Sequence, residues 1–387
     1  MDKITFCLPS KSNLRYLKSA IESIRNNAHR SDHNISVFVD EDTDGTLEWL
    51  DNNAEKYNVK YYENPFLGQK LFGIGKAYDY LIERSETEVF MIFHADMILG
   101  KDADLKAFQK LDKKTVVAAT RIEPPLHPNA GEKILKDFGI YPEDFKEEDF
   151  NEYVNEQLNE TKCSEGIFAP WMMYKDEFLS IGGHDPSLHS CREDSDVFNR
   201  LHLAGFKFIQ PWNSLVYHFT GRGAGSFDGD KDRHEKWKKD MNNSTREFIR
   251  KWKSNVKHTA LMLPIVSPVY DIGIRVKNCH IQLVGLLEPW CNDLYVDCDY
   301  GPYIQSEQPT TNTILASKIK TLEEEPQNDI LIDLDGKTFN QQDFAFLQEM
   351  SSIIQQSGQI GQSKLGHSNI YVTINKLDEF QNELVNL

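Results

Sequence analysis

Four short segments carry carboxylates, imidazoles and glycines at spacings that could act on an anionic substrate. The first ends the apolar run Val89-Phe90-Met91-Ile92-Phe93 and continues as His94-Ala95-Asp96. Side chains alternate in direction along a strand, so His94 and Asp96 point to one side at its carboxyl end. Such a pair could hold a divalent cation on a diphosphate, and the same H-x-D spacing also serves as a plain cap or turn. The second segment, Val37-Phe38-Val39-Asp40-Glu41-Asp42-Thr43-Asp44-Gly45-Thr46, runs from a strand into an acidic turn. There Asp40 could accept a hydrogen bond from a nucleobase N–H, or the turn could be an ordinary connection from strand to helix.

The third segment, Cys191-Arg192-Glu193-Asp194-Ser195-Asp196, precedes the apolar-periodic stretch from Val197 to Leu203. A carboxylate at such a helix start could deprotonate an acceptor hydroxyl, or simply complement the helix dipole. The fourth is Val216-Tyr217-His218-Phe219-Thr220-Gly221-Arg222-Gly223-Ala224-Gly225. His218 at a strand end is either a further metal ligand or a structural histidine, Arg222 could reach a phosphate, and the glycines allow a loop to move.

These groups need a framework that brings strand ends together. Ile4 to Leu8, Ile35 to Val39, Val59 to Glu63 and Val89 to Phe93 have strand character, with helical spacing over Leu14 to Ile24, Thr46 to Tyr57 and Ile74 to Arg84. That alternation predicts a mostly parallel sheet covered by helices, whose ligands sit beyond the carboxyl ends of the strands. A further strand is expected at Val116 to Ala119. Residues 123–165, rich in proline, acidic and aromatic residues, are expected to be an insertion or lid that covers or shapes a site. A charged helix is expected over Asp230 to Lys253, docking one apolar stripe through Trp237, Met241, Phe248, Ile249 and Trp252.

Beyond that helix the composition shifts, and we expect a small α/β domain over 259–387 without a catalytic constellation. Its expected order is strand 281–287, strand 293–298, helix 313–322, strand 330–334, helix 342–355, strand 369–374 and helix 377–384. At 387 residues the chain suits one large domain and one smaller one. A formal charge of -17 argues against unaided binding to nucleic acid or an anionic membrane. An anionic nucleotide would need local help, and a bound divalent cation supplies it while turning acidic ligands into an asset. The six cysteines form no C-x-x-C pair, so neither a zinc site nor a disulfide framework is indicated. No signal peptide or membrane span is evident, since the apolar stretch Leu261 to Ile274 is broken by Pro264, Pro268 and Asp271. A cytoplasmic location is therefore expected.

Taken in order, the segments resemble the family 2 glycosyltransferases of the GT-A fold, over about residues 1–255. The family has a proline and then an asparagine near the first strand end, matched by Pro9 and Asn13, and a V-D-D-x-S-x-D-G-T turn, matched from Val39 to Thr46. Its D-x-D element is matched at 94–96, with His94 in place of the first aspartate. Its G-G-F-D is matched by Gly182-Gly183-His184-Asp185, and its E-D with R-x-x-x-x-G by Glu193-Asp194, Arg200 and Gly205. Phe248 with Lys251-Trp252 is similar to the F-x-x-K-W that often closes the domain.

The resemblance implies a GT-A domain over 1–258, Rossmann-like and mostly parallel, followed by the α/β accessory domain 259–387. It places Asp40, with Asp42 and Pro9, at a nucleotide-sugar donor, and Asp96 on both metal and donor. It makes His218 a metal or diphosphate contact, and Asp194, beside Glu193, the base. The activity implied is inverting transfer of a sugar from a nucleoside diphosphate to a hydroxyl of a saccharide, lipid-linked or protein acceptor, with Mn2+ or Mg2+ as cofactor. Two other classes fit less closely. A sugar nucleotidyltransferase would open with a Gly-rich basic loop where this chain has Leu8-Pro9-Ser10-Lys11-Ser12-Asn13. A non-catalytic binding protein would not need Asp96, Asp194 and His218 together.

Overall fold

The first strand, β1 (Thr5–Lys11), is a short apolar run that becomes polar only at its carboxyl end. With β2 (Asn34–Glu41), β3 (Val59–Glu63) and β4 (Val89–Ile92) it forms a parallel set in the order β3-β2-β1-β4. The intervening helices Leu14–Asn27, Thr46–Tyr57 and Ile74–Glu83 start at or within a residue of where periodicity predicts. In the first of these, Tyr16, Leu17, Ala20, Ile21 and Ile24 make the buried stripe expected of a helix lying on a sheet. The computed structural model describes residues 1–127, 131–221, 231–365 and 368–387. These divide into one compact unit of residues 1–239, 258–264 and 387, and another of 240–257 and 265–386.

Later strands complete the N-terminal unit. They are β5 (Met97–Leu99), β6 (Thr115–Ala118), β7 (Thr120–Glu123), β8 (Ile134–Leu135), β9 (Cys163–Ser164), β10 (Trp171–Tyr174), β11 (Lys207–Pro211) and β12 (Leu215–His218). The large sheet continues from β4 through antiparallel β10 to β6, β11 and β9, while β5, β12, β7 and β8 form a second, four-stranded sheet. That second sheet decides the site, because β12 is flanked by β5 on one side and β7 on the other.

Residues 123–165 hold more order than their composition suggests: the end of β7, β8, β9 and the helix Glu147–Gln157. Their aromatic residues pack inward. Phe138, Phe145 and Phe150 lie 5.7, 5.3 and 6.0 Å from the Tyr217 ring, and Phe145 lies 5.8 Å from Phe219. The segment thus buttresses β12 and the residue that follows it.

In the C-terminal unit β13 (Ile272–Lys277), β14 (Asp293–Val296), β15 (Ile319–Thr321), β16 (Ile330–Asp335), β17 (Gly361–Lys364) and β18 (Tyr371–Ile374) are ordered β15-β14-β13-β16-β18-β17. Several expectations are corrected here. Ile281–Leu287 is a helix, not a strand: the His280 side chain caps it by accepting from Leu283 N, and Leu283, Val284 and Leu287 bury one face. The strand that precedes it is β13, hidden in sequence behind the proline-broken stretch before it. The expected helix 313–322 is only Leu315–Lys318 followed by β15, and the expected helix 377–384 is a single 3-10 turn, Gln381–Leu384. The expected helix 342–355 is two helices, Gln341–Gln348 and Met350–Ser357. Short apolar runs do not distinguish helix from strand, and sheet pairing settled these.

The long charged helix spans Lys231–Trp252, but residues 240–257 belong to the C-terminal unit. Ile249 joins that unit's core. Arg246 donates to Glu307 at 2.7 Å, and Arg250 donates to Glu288 and Glu307, each at 2.6 Å. Phe248 and Trp252 therefore lie outside the N-terminal unit they were expected to close. Among the described residues no helix is long and apolar enough to cross a membrane, and none of the six cysteines forms a disulfide.

The buttress has a measurable consequence. Phe150, fully buried, should cost about 3–5 kcal/mol when replaced by alanine, because the strand side loses its packing partner and a cavity remains. Chemical denaturation of Phe150→Ala should show the loss in the transition of the N-terminal unit. An unchanged midpoint would mean that the aromatic cluster does not support β12.

Candidate active site

Strand register brings the key side chains together. In the antiparallel pair β12–β5, His218 lies opposite Met97, and Phe219 N donates to Asp96 O at 3.1 Å. In the parallel pair β12–β7, Tyr217 lies opposite Ile122, so the strand ends carry His218 and Glu123 side by side. His218 Nε2 is thereby 3.5 Å from Asp96 Oδ1, and His218 Nδ1 is 2.9 Å from Glu123 Oε1. His94 completes the group, its ring 5.7 Å from the His218 ring. The ligating atoms of His94, Asp96 and His218 all lie within 4.8 Å of one another.

Burial works against both carboxylates here, but neighbouring charges overrule it. At Asp96 the charge and hydrogen bond of His218 bring the carboxyl down to about 2. At Glu123 the His218 hydrogen bond, Arg121 and Lys133 hold the carboxyl below the ordinary glutamate range. Lys133 Nζ is 2.7 Å from Glu123 Oε2, and Arg121 bridges Glu123 at 3.2 Å and Glu132 at 3.1 Å. Burial likewise opposes the charge on His218, yet Asp96 and Glu123 raise it to about 9. Burial holds His94 down at about 4, so its imidazole is neutral near pH 7 and able to ligate. An ionised Glu123 can only accept, so His218 Nδ1 is the donor and Nε2 faces Asp96.

These residues fit a divalent cation. One carboxylate and two imidazoles converge, and a second carboxylate fixes the tautomer and aim of one ring, as outer partners of metal-binding histidines do.

The cluster forms part of a cavity of about 320 Å3 at the carboxyl ends of β1, β2 and β4. Pro9, Ser10 and Lys11 line it from β1, Asn13 from the start of the first helix, Asp40 from β2, and Leu71, Gly73, Ile74, Ala77 and Tyr78 from the third helix and its approach. His189, Ser190 and Gly221 complete the wall. Asp40 accepts from Phe72 N at 2.6 Å, Gly73 N at 3.1 Å and Asn64 Nδ2 at 2.9 Å, so it fixes the loop leading into that helix. Gly73 has φ +97°, and a Cβ there would lie 2.9 Å from His189 O. With Ile74 N donating to the same oxygen at 3.3 Å, this close approach brings His189 and Ser190 to the cavity wall.

Other expected site residues lie elsewhere. Asp42 is absent from the cavity wall: its Oδ1 accepts from Gly45 N at 3.0 Å and Thr46 N at 2.9 Å, and its Oδ2 from Leu47 N at 3.1 Å, capping the second helix. Arg222 lies outside the described residues. Glu193 and Asp194 open the helix Glu193–Leu203, just beyond the wall residues His189 and Ser190. Asp194 Oδ1 accepts from Ser195 N at 2.6 Å, while Glu193 Oε2 is buried with no hydrogen-bond partner among the described residues. Arg200 of the same helix is fully buried and donates to Asp196 at 2.8 Å, to Ile181 O at 2.7 Å and to Gly183 O, which anchors the helix beneath the 181–185 loop.

Glu123, Arg121, Lys133, Tyr78, His189 and Ser190 were not singled out from sequence. The one signal for Glu123 is Thr120-Arg121-Ile122-Glu123, an alternating strand whose polar members could equally have faced solvent.

Glu193 supplies a pH test. Burial first and the Asp194 charge second raise its carboxyl from 4.5 to about 8. The folded form then keeps a proton that the unfolded chain has lost, so this group's contribution to stability falls as pH climbs from 4.5 to 8. Glu193→Gln removes that titration. Its Tm should match the native chain near pH 4.5 and exceed it, by about 5 °C or less, at pH 8. A difference independent of pH would show that Glu193 is ordinarily ionised.

The model for glycosyl transferase family 2 matches residues 5–171. None of the curated proteins matches the chain in sequence. Among solved structures, TarS 1-349 of S. aureus in complex with UDP is similar at 13% identity and TM-score 0.42, covering 56% of this chain and 60% of that one. GalNAc-T7 with UDP, GalNAc and Mn2+ is similar at 12% identity and TM-score 0.44, covering 64% of this chain and 48% of that one. The chain thus spans less than two thirds of the length of either.

Proposed function

We propose, from the premise that residues 5–171 form a glycosyl transferase family 2 domain on a GT-A fold, that the protein transfers a sugar from a nucleoside-diphosphate donor to an acceptor hydroxyl, with inversion and with a divalent cation. The observation that carries this reading is the convergence of His94, Asp96 and His218, within 4.8 Å, at a cavity walled by the ends of β1, β2 and β4. Ligands of open α/β sheets bind in that position.

The donor nucleotide would lie along the wall from Pro9 to Asn13 and past Asp40. Because both Asp40 oxygens already accept from backbone amides, Asp40 serves a base chiefly by holding the 64–73 loop in shape. Asp96, His94 and His218 Nε2 would hold Mn2+ or Mg2+. A cation there would neutralise the charge that develops on the departing diphosphate.

Asp194 is the proposed base, taking the proton of the acceptor hydroxyl as its oxygen attacks the anomeric carbon from the face opposite the diphosphate. The position of Asp194 at a helix start just beyond His189 and Ser190 supports the role. Glu193 beside it, raised to about 8, is protonated near neutral pH and leaves the base role to Asp194. Arg192 and Arg222 are candidates to add positive charge at the diphosphate. The acceptor would be a saccharide, a lipid-linked sugar or a protein, and the location cytoplasmic.

Calorimetric titration with UDP-, GDP-, CDP- and dTDP-sugars, with and without Mn2+, tests the reading. One nucleotide should bind only with the metal, and Asp96→Ala should abolish that binding. Asp194→Asn should keep donor binding while transfer falls by about 10²–10⁴-fold. If no nucleotide binds, or if binding ignores both the metal and Asp96, the proposal fails. A second measurement probes the ring support. Glu123→Gln should weaken Mn2+ binding by about 10–100-fold, read by the metal's paramagnetic resonance signal without any turnover. Unchanged affinity would show that Glu123 is only a structural ion pair.

A further inference from the structure

The C-terminal unit has its own topological switch point. The chain runs from β13 to β14 to β15 on one side of the sheet and then returns to β16 on the other side of β13. The loops leaving β13 and β16 therefore diverge at adjacent carboxyl ends, the place where open α/β sheets take ligands. A crevice of about 410 Å3 lies there, lined by His280, Gln282 and Leu286 beyond β13, and by Phe339, Gln341 and Phe344 beyond β16. Gly336 lets the two loops approach, since a Cβ there would lie 2.4 Å from Asn278 O.

The chemistry of the crevice decides what it can take. An anion is the usual occupant of such a place, drawn by helix N-termini and free backbone amides. Here those amides are already used. His280 Nδ1 accepts from Leu283 N at 3.3 Å, and Asn340 Oδ1 accepts from Gln342 N at 2.9 Å and Asp343 N at 3.3 Å. The carboxylates near the strand ends are engaged outside the lining: Asp297 accepts from Asn278 N at 2.7 Å and Cys279 N at 2.8 Å, Asp335 accepts from Lys337 N at 2.9 Å, and the Lys337 charge acts on both. Among the described residues no lysine or arginine lines the crevice. A phosphate there would meet helices that are already capped.

What the crevice does offer is uncharged. The carboxamides of Gln341 and of Gln282, whose side-chain oxygen also lies 3.1 Å from His280 Nδ1, donate and accept at once, as sugar hydroxyls do, and the half-buried rings of Phe339 and Phe344 with Leu286 give apolar faces for the C–H side of a pyranose. We propose that this crevice is a binding site for a neutral saccharide, separate from the cavity of the N-terminal unit. The inference concerns the C-terminal unit alone and does not require the transferase reading.

The test uses the full chain on an array of neutral oligosaccharides, followed by calorimetric titration of the strongest binder. Binding should persist in Asp96→Ala and weaken by about tenfold or more when Gln282→Ala and Gln341→Ala are combined. Gln341→Trp, which fills the crevice from an exposed position, should abolish it while the Tm stays native. The proposal is overturned if no neutral saccharide binds, if binding survives both crevice variants, if it is lost in Asp96→Ala, or if phosphorylated sugars or nucleotides displace the neutral ligand from this crevice.

Discussion

His218 sits between Asp96 at 3.5 Å and Glu123 at 2.9 Å, with all three side chains nearly excluded from solvent. Two carboxylates so placed would repel each other strongly, and burying either without compensation would destabilise the fold by several kcal/mol. Compensation comes from Lys133 on the far oxygen of Glu123, from Arg121 on the oxygen that also faces His218, and from the imidazole between the two acids. With Glu132 also buried against Arg121, three acidic groups face two fixed cations. The remaining positive charge must be a proton on His218 or a metal ion beside it. Much else in the N-terminal unit serves this arrangement: β5 and β7 exist as flanks of β12, and residues 123–165 supply both Lys133 and the aromatic cluster behind Tyr217.

A second constraint concerns acidic residues that look like ligands in sequence and act as clamps in the fold. Asp40 holds Phe72 and Gly73, Asp42 caps the second helix, and Asp196 binds Arg200 beneath the 181–185 loop. Each consumes its charge on backbone amides or a guanidinium. The cavity wall is consequently stiff before any ligand arrives, and polar groups that need not reorganise act most strongly on a bound charge. Gly73 carries this furthest, since its lack of a side chain is what lets the 189–190 loop close against the third helix.

Legibility in the sequence followed the range of the interactions. The four parallel strands and three helices of the first hundred residues were readable because each is long enough to show its own period. The ends of β4 and β12 were readable because His94, Asp96 and His218 interrupt apolar runs. Glu123 was not, since its significance depends on β7 pairing with a strand 95 residues away, and no local pattern encodes that register. The C-terminal unit was least legible. Ile281–Leu287 has the composition of a strand and becomes a helix because His280 caps it and one face meets a sheet. Ile272–Lys277 was obscured by prolines before it, although it is the central strand from which the unit's sheet grows in both directions.

The acidic surplus of the whole chain, -17 by formal count, has opposite consequences in the two units. In the N-terminal unit Asp40 and Glu123 at strand ends are paired with amides or basic side chains, and Asp96 faces the cavity grouped with His94 and His218. A divalent cation there would convert a locally neutral cluster into a positive one, which is what an anionic diphosphate needs. In the C-terminal unit Asp297 and Asp335 stand at strand ends with their helices already capped and without a metal-like cluster among the described residues. The crevice lining itself carries no carboxylate among the described residues, so the same type of crevice on the same type of sheet suits uncharged ligands. Fold topology fixes where each unit opens a crevice, and the side chains that line it fix which charge that crevice suits.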